Sequence, residues 1–140
     1  MMITHWIDPV EFASLITRLI VGFLFCIQGY DKIFNVGKTE VNAAILPSFQ
    51  KIGLPDNFTK VFLFLTSWIE FIAGGLLILG LFKYACIYLL GIDLLFVVIG
   101  MSLIQPVLDL KHIFPRLILL VILLLLPSEA DVFSLDHIIF

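Results

Sequence analysis

Charge is what this sequence has least of. Lys, Arg, Asp and Glu make up 14% of its 140 residues, where a soluble domain carries about 25%. The eight Lys and Arg never form a run, which argues against a nucleic-acid partner. Cysteine is equally sparse. Cys26 and Cys86 stand alone, with no Cys-x-x-Cys and no Cys/His metal spacing, so no metal or iron–sulfur site is expected. Histidine is missing from the interior of every apolar run. His5 and His137 lie outside them and His112 starts one, so a haem held between helices is not expected. Residues 1–11 contain no Lys or Arg, and no small-x-small cleavage site follows the first apolar run. That run is therefore expected to be a retained helix rather than a signal peptide.

What fills the chain instead is hydrocarbon. Hydrophobic residues account for 61%, and the mean hydropathy is +1.16. A soluble chain of this length could not bury so much apolar side chain, so the expected solvent is lipid. Four apolar runs stand out, at about residues 12–34, 59–82, 84–105 and 112–127. A spanning helix needs about 20 residues; the first three satisfy this easily and the fourth is short. The expected fold class is all-α: a single integral membrane domain, a four-helix bundle with up-down connectivity. The connection from Asn35 to Phe58 is long and too apolar for a solvated linker, and Ala43–Phe49 is expected to form a short interfacial helix. Pro106 is expected to close the third run and Pro115 to open the fourth. More basic residues fall on the side opposite the termini, which places both termini outside the cytoplasm.

In so apolar a chain each intramembrane charge requires a reason. Arg18, Glu70 and Asp93 fall inside the first, second and third runs. An ionised side chain at mid-bilayer costs about 2.5–3.5 kcal/mol on insertion scales, so such groups face the bundle interior and pair. Arg18 is expected to reach Glu70 as a charge-assisted partner, leaving Asp93 as the neutral carboxyl because its own helix stripe offers no cation. Helical spacing sets Arg18, Gly22, Phe25, Gly29 and Lys32 on one face, Thr66, Ser67, Glu70 and Gly74 on a second, and Cys86, Asp93, Val97 and Gly100 on a third. The candidate site is thus the polar cluster Arg18, Glu70 and Asp93, with Thr66, Ser67 and Lys32 as secondary members. No catalytic residue and no metal ligand is identified. The plain alternative is an Arg18–Glu70 clamp that only fixes the bundle. Cys26 and Cys86 are too far apart along the bundle axis to form a disulfide.

Several of these segments also resemble a known family. Arg18-Leu19-Ile20-Val21-Gly22 with Gly29, Lys32 and Phe34 resembles the first helix of the DoxX-like family of small four-helix membrane proteins. Glu70 to Gly80 resembles its second helix, Gly53-Leu54-Pro55 the motif before that helix, and Ser134-Leu135-Asp136 the tail after the fourth. Where members often carry Thr-Arg after the second helix, this chain has Phe82-Lys83. The resemblance implies a bundle in the cytoplasmic (inner) membrane of a prokaryote, with a link to quinone-dependent redox complexes. A quinone is the one cofactor suggested, and only by the resemblance. The expected partners are the lipid bilayer and other membrane or membrane-associated subunits. Three functions are carried forward: an accessory or structural subunit of a membrane complex, redox-linked in this family; a quinone-linked oxidoreductase subunit; and a small proton-coupled transporter, which the absence of an inverted repeat disfavours.

Overall fold

A computed structural model describes residues 8–104 and 110–139. Every regular element among them is helical. Helix α1 spans Pro9–Tyr30 and runs on as a π-helical stretch over Asp31–Asn35. Helix α2 covers Gly37–Gln50, α3 Asp56–Leu79, α4 Lys83–Ile104 and α5 Leu110–Leu125; a 3-10 turn at Ser128–Ala130 leads to the short α6, Leu135–Ile139. Three helices are long and apolar enough to cross a membrane: Pro9–Asn35, Asp56–Leu79 and Lys83–Gly100; Ile113–Leu125 is apolar but shorter.

The boundaries follow local chemistry. Asp8 caps α1 by accepting from the Val10 N–H at 2.9 Å, and Pro9 takes the first helical position, where its missing N–H costs nothing. Helix α3 stops at Gly80, which adopts the left-handed conformation (φ 72°, ψ 34°) while the Leu81 N–H returns to the Leu76 carbonyl at 2.9 Å. The interfacial helix expected over Ala43–Phe49 is longer, since α2 begins at Gly37. Pro115 does not open the fourth run. It lies inside α5, which starts earlier, at Leu110, so the N–H it lacks would have served the Lys111 carbonyl. Pro106 and His5 lie outside the described residues.

Each spanning helix buries one stripe. In α1 it is Ser14, Arg18, Val21, Gly22, Phe25 and Gly29; in α3 it includes Thr66, Ser67, Glu70, Ala73, Gly74 and Leu77. Ile20, Phe23, Ile27 and Ile72 face outward, as they should where the surroundings are acyl chains. Helix α1 packs on α3, α3 on α4, α4 on α5, and α5 returns to α1. The α1–α3 seam is the tightest. Gly22 meets the Gly74 carbonyl and Ile78, and Gly29 meets the Ser67 carbonyl and the Phe71 backbone. Contacts rise along α1 as they fall along α3, so the two helices are antiparallel. Small residues permit this backbone approach, which is how helices associate when lipid offers no hydrophobic drive between them.

A methyl group has no room in that seam. A Cβ on Gly74 would lie 2.5 Å from the Cys26 nitrogen, and one on Gly29 2.7 Å from the Ser67 carbonyl oxygen. Gly29→Ala and Gly74→Ala are each expected to destabilise by about 1–3 kcal/mol, read as a lower melting temperature in detergent. Gly91 has no atom within 4 Å of its would-be Cβ, so Gly91→Ala should melt at or above wild type.

Candidate functional site

Two groups of buried charge lie at different levels of the molecule. The first forms where the start of α1, the α3–α4 turn and the segment after α5 meet. Asp131, in that last segment, is its centre. Ser14 donates to Asp131 Oδ1 at 2.6 Å, Lys83 Nζ pairs with Oδ2 at 2.5 Å, and Arg18 Nη1 lies 3.9 Å from Oδ1. All four residues are at most 7% exposed. Arg18 Nη2 also donates to the Phe133 carbonyl at 2.8 Å. Asp136 accepts from the Lys83 backbone N–H at 3.3 Å, and its own N–H donates to the Gly80 carbonyl at 3.1 Å. A Cβ on Gly80 would lie 2.5 Å from Arg18 Nη1 and 2.8 Å from Ser134 Cβ. Gly80 is therefore required twice, by its backbone conformation and by the side chains pressed against it.

The expected Arg18–Glu70 pair does not form. A long cation embedded in hydrocarbon extends toward the nearer membrane surface rather than the midplane. There the segment after α5 meets it with a carboxylate and a carbonyl. The sequence pattern did not single out Ser14 or Asp131, and it marked Lys83 only as part of the Phe82-Lys83 pair after the second helix. The available signal was charge matching between Arg18 or Lys83 and the acids late in the chain.

The second group lies toward the other level. The π-helical stretch carries Lys32, whose Nζ pairs with Glu70 Oε2 at 2.6 Å. Lys32 is thus the main partner of Glu70 rather than a secondary residue. Asp93 of α4 is 3% exposed, and neither of its carboxylate oxygens has a hydrogen-bond partner among the described residues. Glu70 and Lys32 are the charges that act on it. Arg116 of α5 acts on Glu70 and lies 6.0 Å from the Phe25 ring centre, a cation–π distance. The α1 extension, α3, α4 and α5 therefore supply one charged side chain each, two basic and two acidic. Thr66 and Ser67 both donate to the Leu63 carbonyl, at 3.1 and 2.7 Å, which leaves their oxygens free only to accept.

Beside this group is a cavity of about 80 Å³, lined by Lys32, Ile45, Phe49, Phe62, Leu63, Thr66, Phe96, Val97 and Gly100. Its walls are aromatic and aliphatic, and its polar groups are one ammonium and one hydroxyl. Its lining, though not its present volume, suits a flat, mostly apolar group with an oxygen to present to Lys32. Cys26 and Cys86 are free thiols. Among the described residues no cluster of His, Cys, Asp and Glu could hold a metal ion. His137 is exposed.

The model of the DoxX family matches residues 13–108. No curated protein and no solved structure matches the chain.

A double-mutant cycle tests the partner assignment. Arg18→Gln with Asp131→Asn should couple by more than about 0.5 kcal/mol in detergent unfolding, the level that separates contacting from independent sites; Arg18→Gln with Glu70→Gln should add independently. Asp131→Asn alone leaves Lys83 buried without its counter-charge and should cost about 3–5 kcal/mol.

Proposed function

We propose, for a chain that belongs to the DoxX family of small membrane proteins, that it is an up-and-down bundle of four spans, α5 being the shortened fourth, and serves as a subunit of a redox-linked complex in the cytoplasmic membrane of a prokaryote. Its part in that complex is to hold the head group of a lipid-soluble carrier of the quinone class. One observation carries this reading: Lys32, paired with the buried Glu70, lines an aromatic-walled cavity, and Asp93 and Arg116 from two further helices are the other charges close enough to act on that pair. Charge inside a membrane is costly and marks ligand or proton pathways. Packing alone would be served better by leucine.

The residues fit such a group chemically. A quinone, when bound, supplies two-electron chemistry coupled to proton uptake; the electrons come from a redox partner protein. Lys32 donates to a carbonyl oxygen. Phe49, Phe62 and Phe96, which line the cavity, supply aromatic faces for the ring. Glu70 holds Lys32 in position at 2.6 Å. Asp93, whose oxygens no neighbour among the described residues occupies, is the group free to hold a proton and pass it on.

Orientation follows from the same pairs. Arg18 and Lys83 are engaged internally, so they do not count toward the charge facing water on the side of the termini. Lys51 and Lys60 are exposed at the opposite level. The positive-inside rule then sets both termini away from the cytoplasm. A C-terminal reporter active only in the cytoplasm is expected to stay silent; a strong signal would reverse the orientation.

Purification in mild detergent tests the function. The protein is expected to co-purify with a redox protein and with quinone in the lipid extract. In nanodiscs, Lys32→Met combined with Glu70→Gln, which removes the pair without leaving a lone charge, should weaken decylubiquinone binding about tenfold, equivalent to one lost charge-assisted hydrogen bond. An assembly without redox components, and no quinone binding by the wild type, would leave a purely structural subunit.

A further inference from the structure

The cavity beside Lys32 is too small for the group it would hold. Its volume of about 80 Å³ compares with about 30 Å³ per liquid water and about 300 Å³ or more for pockets that enclose small-molecule ligands. A ring system enters only if a wall moves, and one wall is built differently from the others.

That wall is α2. The remaining lining comes from the long helices and the π-helical stretch, whereas Ile45 and Phe49 come from a 14-residue helix outside the spanning set. Among the described side chains of α2, Phe49 alone is buried, at 7% exposure. It seats against Gly100 of α4, where a Cβ would lie 3.1 Å from the ring tip. A methyl at position 100 would need the ring to give slightly, and a leucine would take its seat. Gly37 and Gly53 flank α2 with φ of +74° and +84°, and neither has an atom within 4 Å of its would-be Cβ. Both can change conformation without displacing a neighbour. Pro47, two residues before the plug, removes the N–H that would bond the Ala43 carbonyl and provides a further bend point. The polar tie from α2 to a spanning helix is peripheral: Gln50 donates to Asp56 at 2.9 Å, beside the Gly53 hinge.

We propose that α2 is a lid over the Lys32–Glu70–Asp93 site, hinged at Gly37 and Gly53, and that the Phe49–Gly100 contact is the latch that determines when the site opens and how large a head group it accepts. With Phe49 seated, Lys32 is 27% exposed but the cavity it lines has room for only about two or three waters. With Phe49 withdrawn, the ring's own volume is added to the cavity and a larger head group has room against Lys32. The identity of the head group rests on the quinone reading; the motion of α2 does not.

The test uses the full chain in nanodiscs, with Cys26→Ala and Cys86→Ala to free the thiol chemistry. Spin labels are placed at Ala43→Cys on α2 and Ile99→Cys on α4, both exposed positions. Pulsed dipolar spectroscopy should give two distances, the longer one a minority. Phe49→Ala should raise the ratio of long to short about tenfold, a shift within the range that modest differential contacts produce. Gly100→Leu, which fills the latch seat from the other side, should raise it as well. A single distance that neither substitution changes would overturn the lid. The two readings separate cleanly. Motion of α2 with no decylubiquinone binding sinks the quinone assignment and leaves the lid; binding with α2 fixed sinks the lid and leaves the assignment.

Discussion

Everything in this molecule depends on cancelling charge where water cannot. A lone ion in hydrocarbon is several kcal/mol out of balance, so each buried charge fixes where an opposite one must be. Arg18 and Lys83 are answered by Asp131 and Asp136 at one level. Lys32 and Arg116 are answered by Glu70 and Asp93 at the other. Both groups contain two cations and two acids. The first ties the segment after α5 back onto the start of α1 and the α3–α4 turn, and it explains why that segment folds over the bundle rather than trailing into water.

The two groups differ in how their acids are partnered. In the first, Asp131 takes a hydroxyl and an ammonium and Arg18 donates to a backbone carbonyl, while Arg18 Nε and Nη1 and Asp136 Oδ1 have no hydrogen-bond partner among the described residues. In the second, Asp93 has no donor among the described residues, and an aromatic cavity adjoins Lys32. An acid held between a hydroxyl and an ammonium is fixed in place, while a buried acid with no donor has capacity left for a proton. The glycine seam serves both. By letting α1 and α3 touch at Gly22, Gly29 and Gly74, it brings the α1 extension near enough for Lys32 to reach Glu70.

Much of this was legible in the residues themselves. The helical character, the membrane setting and three of the long apolar helices follow from composition and run length, because hydrocarbon permits little else. The inward stripes were legible too, since a 3.6-residue period forces Arg18, Gly22, Phe25 and Gly29 onto one face whatever surrounds them. Glu70 and Asp93 could be singled out by their cost alone.

What periodicity could not supply was pairing. Depth along a helix axis allowed Arg18 to meet Glu70, but depth is one coordinate, and a long cation has the choice of two directions. The choice was made by Asp131, 113 positions away in the chain, and by a π-helical stretch that extends α1 and brings Lys32 to Glu70. The role of α2 was equally hidden. Its sequence marks an interfacial helix, yet only the packed chain sets Phe49 on Gly100 and makes that helix a wall of the cavity. The sequence determined which residues must be inside and that each charge needs a partner, because burial energies belong to residues one at a time. The tertiary structure alone decided which partner each one took, because pairing energy depends on distance, and distance is set by the whole fold.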